Sequence, residues 1–266
     1  AAAAVGTGVV EDKKAFTTIG TSGVLFAHTS KMQIDKKGRV HTFCCAVPNE
    51  WHVMGVTQAA GLSMKWLRDT LCQEEILESE RQGIDSYILL DKMAKDVSIG
   101  ANKLLYLPYL MGERTPHLDP DARGVLFGLS AMHTKADIIR AVLEGVSYSL
   151  RDCIEILREM DVDTKDMMVC GGGAKSPIWR QMLADLYSCD VKTLASNEGA
   201  ALGAAILAFV GAGEFDTVQS ACKAIVKTAD CHPPIKENSD KYEVFYRLYQ
   251  SLYPNLKESY QALAQI

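Results

Sequence analysis

MMVCGGGAKSPIWRQMLAD, residues 167–185, joins a short apolar run to three consecutive glycines and then to a segment with helical periodicity. The pattern reads as strand, tight turn, helix. Adjacent glycines let the backbone take positive φ and let a ligand approach where a Cβ would stand in the way. Ser176 offers a capping hydroxyl and Pro177 suits a first helical turn, so the helix is expected to start there. Its free amides and the positive end of its dipole then face whatever rests on the glycines, which favours an anionic or nucleotide ligand. Such a turn also serves simply to pack a helix against a sheet, and on these residues alone both readings stand. Neither G-x-G-x-x-G nor G-x-x-x-x-G-K-[ST] occurs in the chain, which disfavours an ordinary Rossmann or P-loop site.

The chain has 266 residues, 48% of them hydrophobic, enough for a buried core in one large domain or two small ones. A net charge of −5 gives no general attraction to nucleic acid or to an anionic membrane, so any phosphate must be held locally. No apolar run approaches the roughly 18–20 residues of a membrane span, and no basic-then-apolar leader is present, so the expected compartment is the cytoplasm. The eight cysteines are scattered, with no C-x-x-C pair and no Cys/His metal spacing, so mostly buried, reduced thiols and no metal cage are expected. His28, His41 and His52 fall in strand-like stretches, where a structural role outweighs a ligand role. The opening AAAAVGTGVV has no Met and starts within what reads as a helix or turn, which suggests a piece of a longer chain.

Ala15–Ile19 and Val24–Thr29 flank Gly20-Thr21-Ser22-Gly23, a hairpin with a hydroxyl-rich tip. Such a tip offers amides and hydroxyls to a phosphate, although an ordinary glycine turn has the same composition. Residues 39–47 and 51–56 suggest a second strand pair across Pro48-Asn49-Glu50. Gly61–Leu71 begins the helices, with Leu62, Trp66 and Leu67 on the expected inner face and Lys65 near its start. Residues 84–97 read as another helix and Leu104–Leu107 as a short strand. The loop 108–123, PYLMGERTPHLDPDAR, is long and polar enough to suggest a function that its chemistry does not name. Thr134 is a capping candidate for a long helix over residues 135–160, on which Glu144 reads either as functional or as a solvated or capping carboxylate. Val191–Leu194 and a small-residue helix from Glu198 complete a parallel β-α-β unit with right-handed crossover. In the tail, Tyr242, Phe245, Tyr249, Leu252, Leu256 and Leu263 recur at helical spacing, as core or dimer contacts, and Pro254 is expected to kink or break that helix.

An antiparallel meander followed by helix and parallel units is the order of the ribonuclease H-like, actin-like ATPase fold, here expected as a mixed five-stranded sheet flanked by helices. The stretch 124–144, GVLFGLSAMHTKADIIRAVLE, resembles the second signature of the FGGY carbohydrate kinase family: Leu126, Gly128-Leu129, seven residues, Asp137-Ile138, then Ala141-Val142-Leu143-Glu144. GTSG at Gly20, GGGAKS at Gly171 and EGAALGAA at Glu198 fall in the family's order, and the resemblance covers essentially the whole chain. Within the family, the stretch 107–129, the WHVMGV strand and the glycine turn look most like the xylulokinase subfamily. Pentulose, gluconate and glycerol kinases share most of the pattern, and an actin-like ATP-dependent binding module is the reading from another class.

The resemblance implies a single domain over residues 1–266, the carboxyl-terminal half of a two-domain kinase. It implies ATP and Mg2+ as partners of the reaction, a sugar substrate held largely by an amino-terminal domain, and a homodimer. By the same resemblance Gly20 and Thr21 face the β- and γ-phosphates, and Gly172, Gly173 and Ala174 line the adenosine and α-phosphate side. Ser176 approaches adenine, and Gly61 and Lys65 border the nucleotide from the first turn of their helix. The family's general-base aspartate sits in a Gly-Gly-Asp motif that aligns just ahead of Ala1. No catalytic residue is therefore expected within this chain, which should be inactive by itself.

Overall fold

In the structure, a computed structural model, residues 1–195 and 199–266 are described. The chain opens with a short helix, Ala2–Gly6 (α1). It then enters a hairpin, Lys14–Ile19 (β1) and Gly23–Thr29 (β2), and a second strand pair, His41–Cys44 (β3) and Trp51–Thr57 (β4). Three helices follow: Gly61–Leu71 (α2), Gln73–Gln82 (α3) and Ser86–Lys95 (α4). Leu105–Leu107 (β5) and Val125–Phe127 (β6) pair with one another on either side of the long loop. The helix Lys135–Glu159 (α5) leads to Asp166–Cys170 (β7), a 3-10 turn at Gly172–Lys175, and Pro177–Tyr187 (α6). Asp190–Leu194 (β8), Gly199–Gly211 (α7), Val218–Ile225 (α8), Thr228–His232 (β9) and Lys236–Leu263 (α9) complete the chain.

The main sheet has seven strands rather than the expected five, in the order β3-β4-β2-β1-β7-β8-β9. Strands β1, β7 and β8 run parallel, and β2, β4, β3 and β9 are added antiparallel at the two sides. This is the mixed sheet of the ribonuclease H-like fold. The extra width comes from both edges, and β9, whose residues are mostly exposed, carries no alternating apolar signal.

Alternation in the strands sends residues to two different layers. Met167 and Val169 of β7 join Ala15, Ile19 and Leu25 under α5 and α6. Met168 instead meets Phe16 and Phe26 on the opposite face, beneath Ala4 and Val9. There α1 and α7 touch backbone to backbone: a Cβ on Gly203 would lie 1.8 Å from the Ala2 carbonyl oxygen. Gly199 and Gly203 of α7 thus serve contact with α1, while Ala200, Ala201, Ala204 and Ala205 are exposed, and Glu198 lies outside the described residues.

Helix α5 is the spine. Thr134 and Asp137 form the capping box at its start, with the Thr134 N–H donating to Asp137 at 2.7 Å. Glu144 is neither solvated nor a cap. It is buried, receives the Arg140 guanidinium at 2.7 Å and accepts the Gly100 amide at 3.1 Å, and Arg140 in turn donates to the Tyr242 hydroxyl at 2.6 Å. Burial pushes the Glu144 carboxyl up, and the adjoining guanidinium opposes that shift. Most of the tail is core as expected: Tyr242, Tyr249 and Leu252 are buried and Phe245 and Leu256 half-buried against them, but Leu263 is exposed. Pro254 does not break α9, which runs through it, because the flanking Leu252, Tyr253 and Tyr260 are buried and hold both halves in place.

Two further expectations change, on Trp66 and on the cysteines. Trp66 is 36% exposed, and the inner face of α2 is made by Ser63, Met64 and Leu67. Only Cys72, Cys153 and Cys222 are fully buried, while Cys44 and Cys231 are exposed, and all eight thiols are free. His28 and His52 are buried strand residues, His28 within 2.7 Å of the Glu50 carboxylate and His52 stacked on Phe26. Burial lowers His52 to about 4, so it is neutral at physiological pH. No helix among the described residues is long and apolar enough to cross a membrane.

Candidate functional site

Parallel strands β1 and β7 end side by side, with Thr18 opposite Cys170, so the turns that follow them, Gly20–Ser22 and Gly171–Lys175, share one edge of the sheet. Turns at the carboxyl ends of parallel strands are where α/β sheets place their ligands. Here they open into a cavity of about 560 Å³. Gly20, Thr21, Gly61, Lys65, Gly172, Gly173 and Ser176, from three separated stretches of sequence, all line it. Ala174 does not: it is half-buried and packs against the core.

The two turns present different chemistry. In the hairpin, the Gly20 amide closes the turn onto the Ser22 carbonyl at 3.0 Å, and among the described residues the Thr21 and Ser22 amides have no backbone acceptor. Two free N–H groups beside two hydroxyls form a small anion nest. At the other turn Gly171 has φ +84°, and a Cβ there would sit 2.6 Å from the Ile19 carbonyl oxygen. Gly173 is equally confined, 2.5 Å from Ile19 Cγ2, whereas a Cβ on Gly172 would meet nothing nearer than 4.0 Å.

Ser176 caps α6 as expected, accepting the Trp179 amide at 3.2 Å. The helix does not present all its amides to the cavity, because the 3-10 turn intervenes and the Ser176 amide is spent on the Gly173 carbonyl. Nor does α2 offer its first amides. Gly61 donates to the Gly20 carbonyl at 2.8 Å and Leu62 to that of Thr21 at 3.0 Å, stitching α2 to the hairpin tip. Gly61 is needed for that approach, since its Cβ would lie 2.4 Å from the Gly20 oxygen. Lys65 reaches the rim but is already paired with Asp69 at 2.5 Å, while Lys175, also lining the cavity, has no ion-pair partner among the described residues.

The remaining wall was not foreseen. Asp85, Tyr87, Ile88 and Asp91 on or just before α4 face the glycine turns. Burial raises the Asp91 carboxyl, an effect partly opposed by its hydrogen bond to the Ser176 hydroxyl and increased by Asp85. The only local signal in the sequence was the cap itself, Asp85 accepting the Tyr87 amide at 3.0 Å. The cavity is therefore polarised: hydrogen-bond donors at the hairpin tip, carboxylates on α4, and Leu62, Met64, Ile88 and Trp179 as apolar surface between them. A ligand with an anionic end, a flat apolar body and donor groups fits that order.

A second cavity, of about 500 Å³, lies on the opposite face of the sheet among Lys14, Lys192, Lys223, Glu11 and Asp166. Lys14 is held by Glu11 at 2.6 Å and Lys192 by Asp166 at 2.8 Å, so its charge is largely cancelled internally. None of the candidate site residues expected from the sequence lines it.

Similarity to known proteins falls on the same family. The chain is 41% identical over 258 residues to a xylulose kinase of Staphylococcus epidermidis, covering 97% of this chain and 50% of that protein. It is 36% identical over 262 residues to a gluconokinase of Bacillus subtilis, covering 98% of this chain and 50% of the relative. The solved xylulose kinase of Rhodospirillum rubrum superposes with a TM-score of 0.86 at 28% identity, over 98% of this chain and 50% of that one. The chain thus spans about half the length of the curated relatives it matches. Residues 15–212 match the family's carboxyl-terminal domain, and the chain belongs to the FGGY family of carbohydrate kinases.

Proposed function

We propose that this chain is the nucleotide-binding half of an ATP-dependent sugar kinase that phosphorylates D-xylulose on its 5-hydroxyl. The observation that carries the reading is the convergence of Gly20, Thr21, Gly61, Lys65, Gly172, Gly173 and Ser176 on one polarised cavity at the ends of two parallel strands. In this reading the β- and γ-phosphates rest on the free amides and hydroxyls of Thr21 and Ser22. The nucleoside lies across Gly172 and the apolar surface, with its ribose hydroxyls or adenine amine toward Asp91. Such a turn holds the phosphates by positioning and hydrogen bonding, the main needs of phosphoryl transfer.

Mg2+ accompanies ATP in this chemistry, and among the described residues no three carboxylates, histidines or cysteines come together as a cage for it. In this reading, its coordination on this side falls to the phosphates. The carboxylate that takes the sugar hydroxyl proton and most sugar contacts belong to an amino-terminal domain, and the homodimer implied by the resemblance belongs to the same reading. Xylulose is preferred to gluconate on the higher identity to xylulose kinases, while the gluconokinase match keeps gluconate as the second substrate to try.

The test is ADP release by the full-length protein with each sugar. Higher kcat/KM for D-xylulose than for gluconate supports the proposal, and the reverse order reassigns the substrate. ATP bound without turnover of any ketose, sugar acid or polyol would instead favour an ATP-dependent binding module.

A further inference from the structure

The loop 108–123 lines neither cavity, yet its centre is among the most buried polar parts of the molecule, with Glu113 only 3% exposed and Thr115 at 0%. What it covers is the outer edge of β4. The pairing of β3 with β4 ends at His41 opposite Met54, so Gly55, Val56 and Thr57 have no strand neighbour on that side. The loop replaces one. Thr115 donates its amide to the Val56 carbonyl at 2.9 Å, and its hydroxyl accepts the Val56 amide at 3.1 Å.

Glu113 continues this edge past the end of the strand. Its Oε1 accepts the amides of Gln58 at 2.8 Å and of Arg114 at 2.7 Å. Its Oε2 accepts the hydroxyl of Thr57 at 2.6 Å and lies 3.3 Å from that of Ser149, on α5, whose proton has a nearer acceptor in the Thr57 oxygen at 2.8 Å. Every donor is neutral. Three residues beyond Gln58 the chain reaches Gly61, and the amides of Ala60, Gly61 and Leu62 are the ones bonded to the Gly20 and Thr21 carbonyls. Unpaired buried donors are costly, so an edge held this way has one strongly preferred geometry.

We propose that Glu113 is a positioning residue for the phosphate-binding hairpin tip: by pinning Thr57 and Gln58 it fixes the β4-to-α2 joint onto which Gly20 and Thr21 are stitched. The geometry stands by itself, while the consequence for phosphate rests on the nucleotide reading of the cavity. The division of its two oxygens makes a specific demand. Oε1 must accept from two amides, but Oε2 meets only hydroxyls, which donate or accept equally well. A carboxamide therefore satisfies the same site, with its oxygen on the amides and its NH2 group donating to Thr57, whose own proton turns to the Ser149 oxygen 2.8 Å away. The role needs hydrogen bonds and no negative charge.

The experiment compares wild type, Glu113→Gln, Glu113→Ala and Thr57→Val by hydrogen–deuterium exchange and by titration with ADP. Removing Glu113 leaves several donors unpaired, so exchange at residues 60–62 in Glu113→Ala should rise at least about tenfold, with residues 171–176 unchanged, and the ADP dissociation constant should rise about tenfold. Glu113→Gln should match wild type in both. Thr57→Val keeps the volume and loses one donor, and should show the same localised acceleration to a smaller degree, which preserves the test if Glu113→Ala does not fold. Wild-type exchange at 60–62 in Thr57→Val and Glu113→Ala would overturn the proposal. So would a Glu113→Gln variant as impaired as the alanine. Localised acceleration with no ADP binding by any form, wild type included, would instead overturn the nucleotide reading and with it the phosphate role of the joint.

Discussion

The glycines around the cavity fall into two groups that look alike in sequence and differ in what surrounds them. Gly171, Gly173 and Gly61 are required by packing: added Cβ atoms would come within 2.6 Å of the Ile19 oxygen, 2.5 Å of Ile19 Cγ2 and 2.4 Å of the Gly20 oxygen. Gly172 and Gly20 are not, since their nearest contacts would be 4.0 and 3.7 Å away and neither has positive φ. Packing thus accounts for three of these glycines, and the proposed nucleotide falls on the two that packing leaves free. The difference teaches that a glycine the fold requires is separable from one it does not by the space a side chain would find.

Substitutions can break that division. Gly171→Ala should be the most damaging, since it combines a positive φ with ψ −176°, a region nearly confined to glycine, and a backbone clash. A loss of about 3 kcal/mol or more in urea unfolding is expected, and a loss within 0.5 would remove the packing argument. Gly173→Ala meets side chains and no backbone, Ile19 Cγ2 and Cβ at 2.5 and 2.7 Å and the Trp179 ring at 3.0 Å, and should cost roughly 1–3 kcal/mol. Ser176→Ala removes the cap of α6 and should cost about 1 kcal/mol, read in the same way. Gly172→Ala should change stability by less than about 0.5 kcal/mol, because its Cβ enters open space. If instead it destabilises as much as Gly173→Ala, the two groups are one.

The sequence was readable where local chemistry and tertiary structure agree. The bounds of α2 were legible outright, and those of the hairpin, α5 and the β7-to-α6 unit to within about a residue or two, because apolar periodicity, caps and glycines all point the same way there. Helix α3, QEEILESERQ, was missed because only Ser79 is buried in it, so it has no apolar stripe to detect. The strand β9 is similarly silent. Of the cavity, the glycine turns were legible and the α4 wall was not. Asp85 and Asp91 reach it only through the packing of α4 against α3 and α5, and no spacing near either residue encodes that approach. Glu113 sits in a loop whose purpose its chemistry does not name, since a carboxylate that anchors a strand edge by neutral hydrogen bonds has no sequence signature.

The most direct measurement is calorimetric titration of this chain with ADP and Mg2+, beside Gly172→Asp with its folding verified by circular dichroism. The aspartate has room to be built, so the variant should fold, and it places a carboxylate where the account places the nucleotide. Binding by wild type and none by folded Gly172→Asp is the predicted result. Equal binding by both would contradict the assignment of the nucleotide to the Gly171–Ser176 turn.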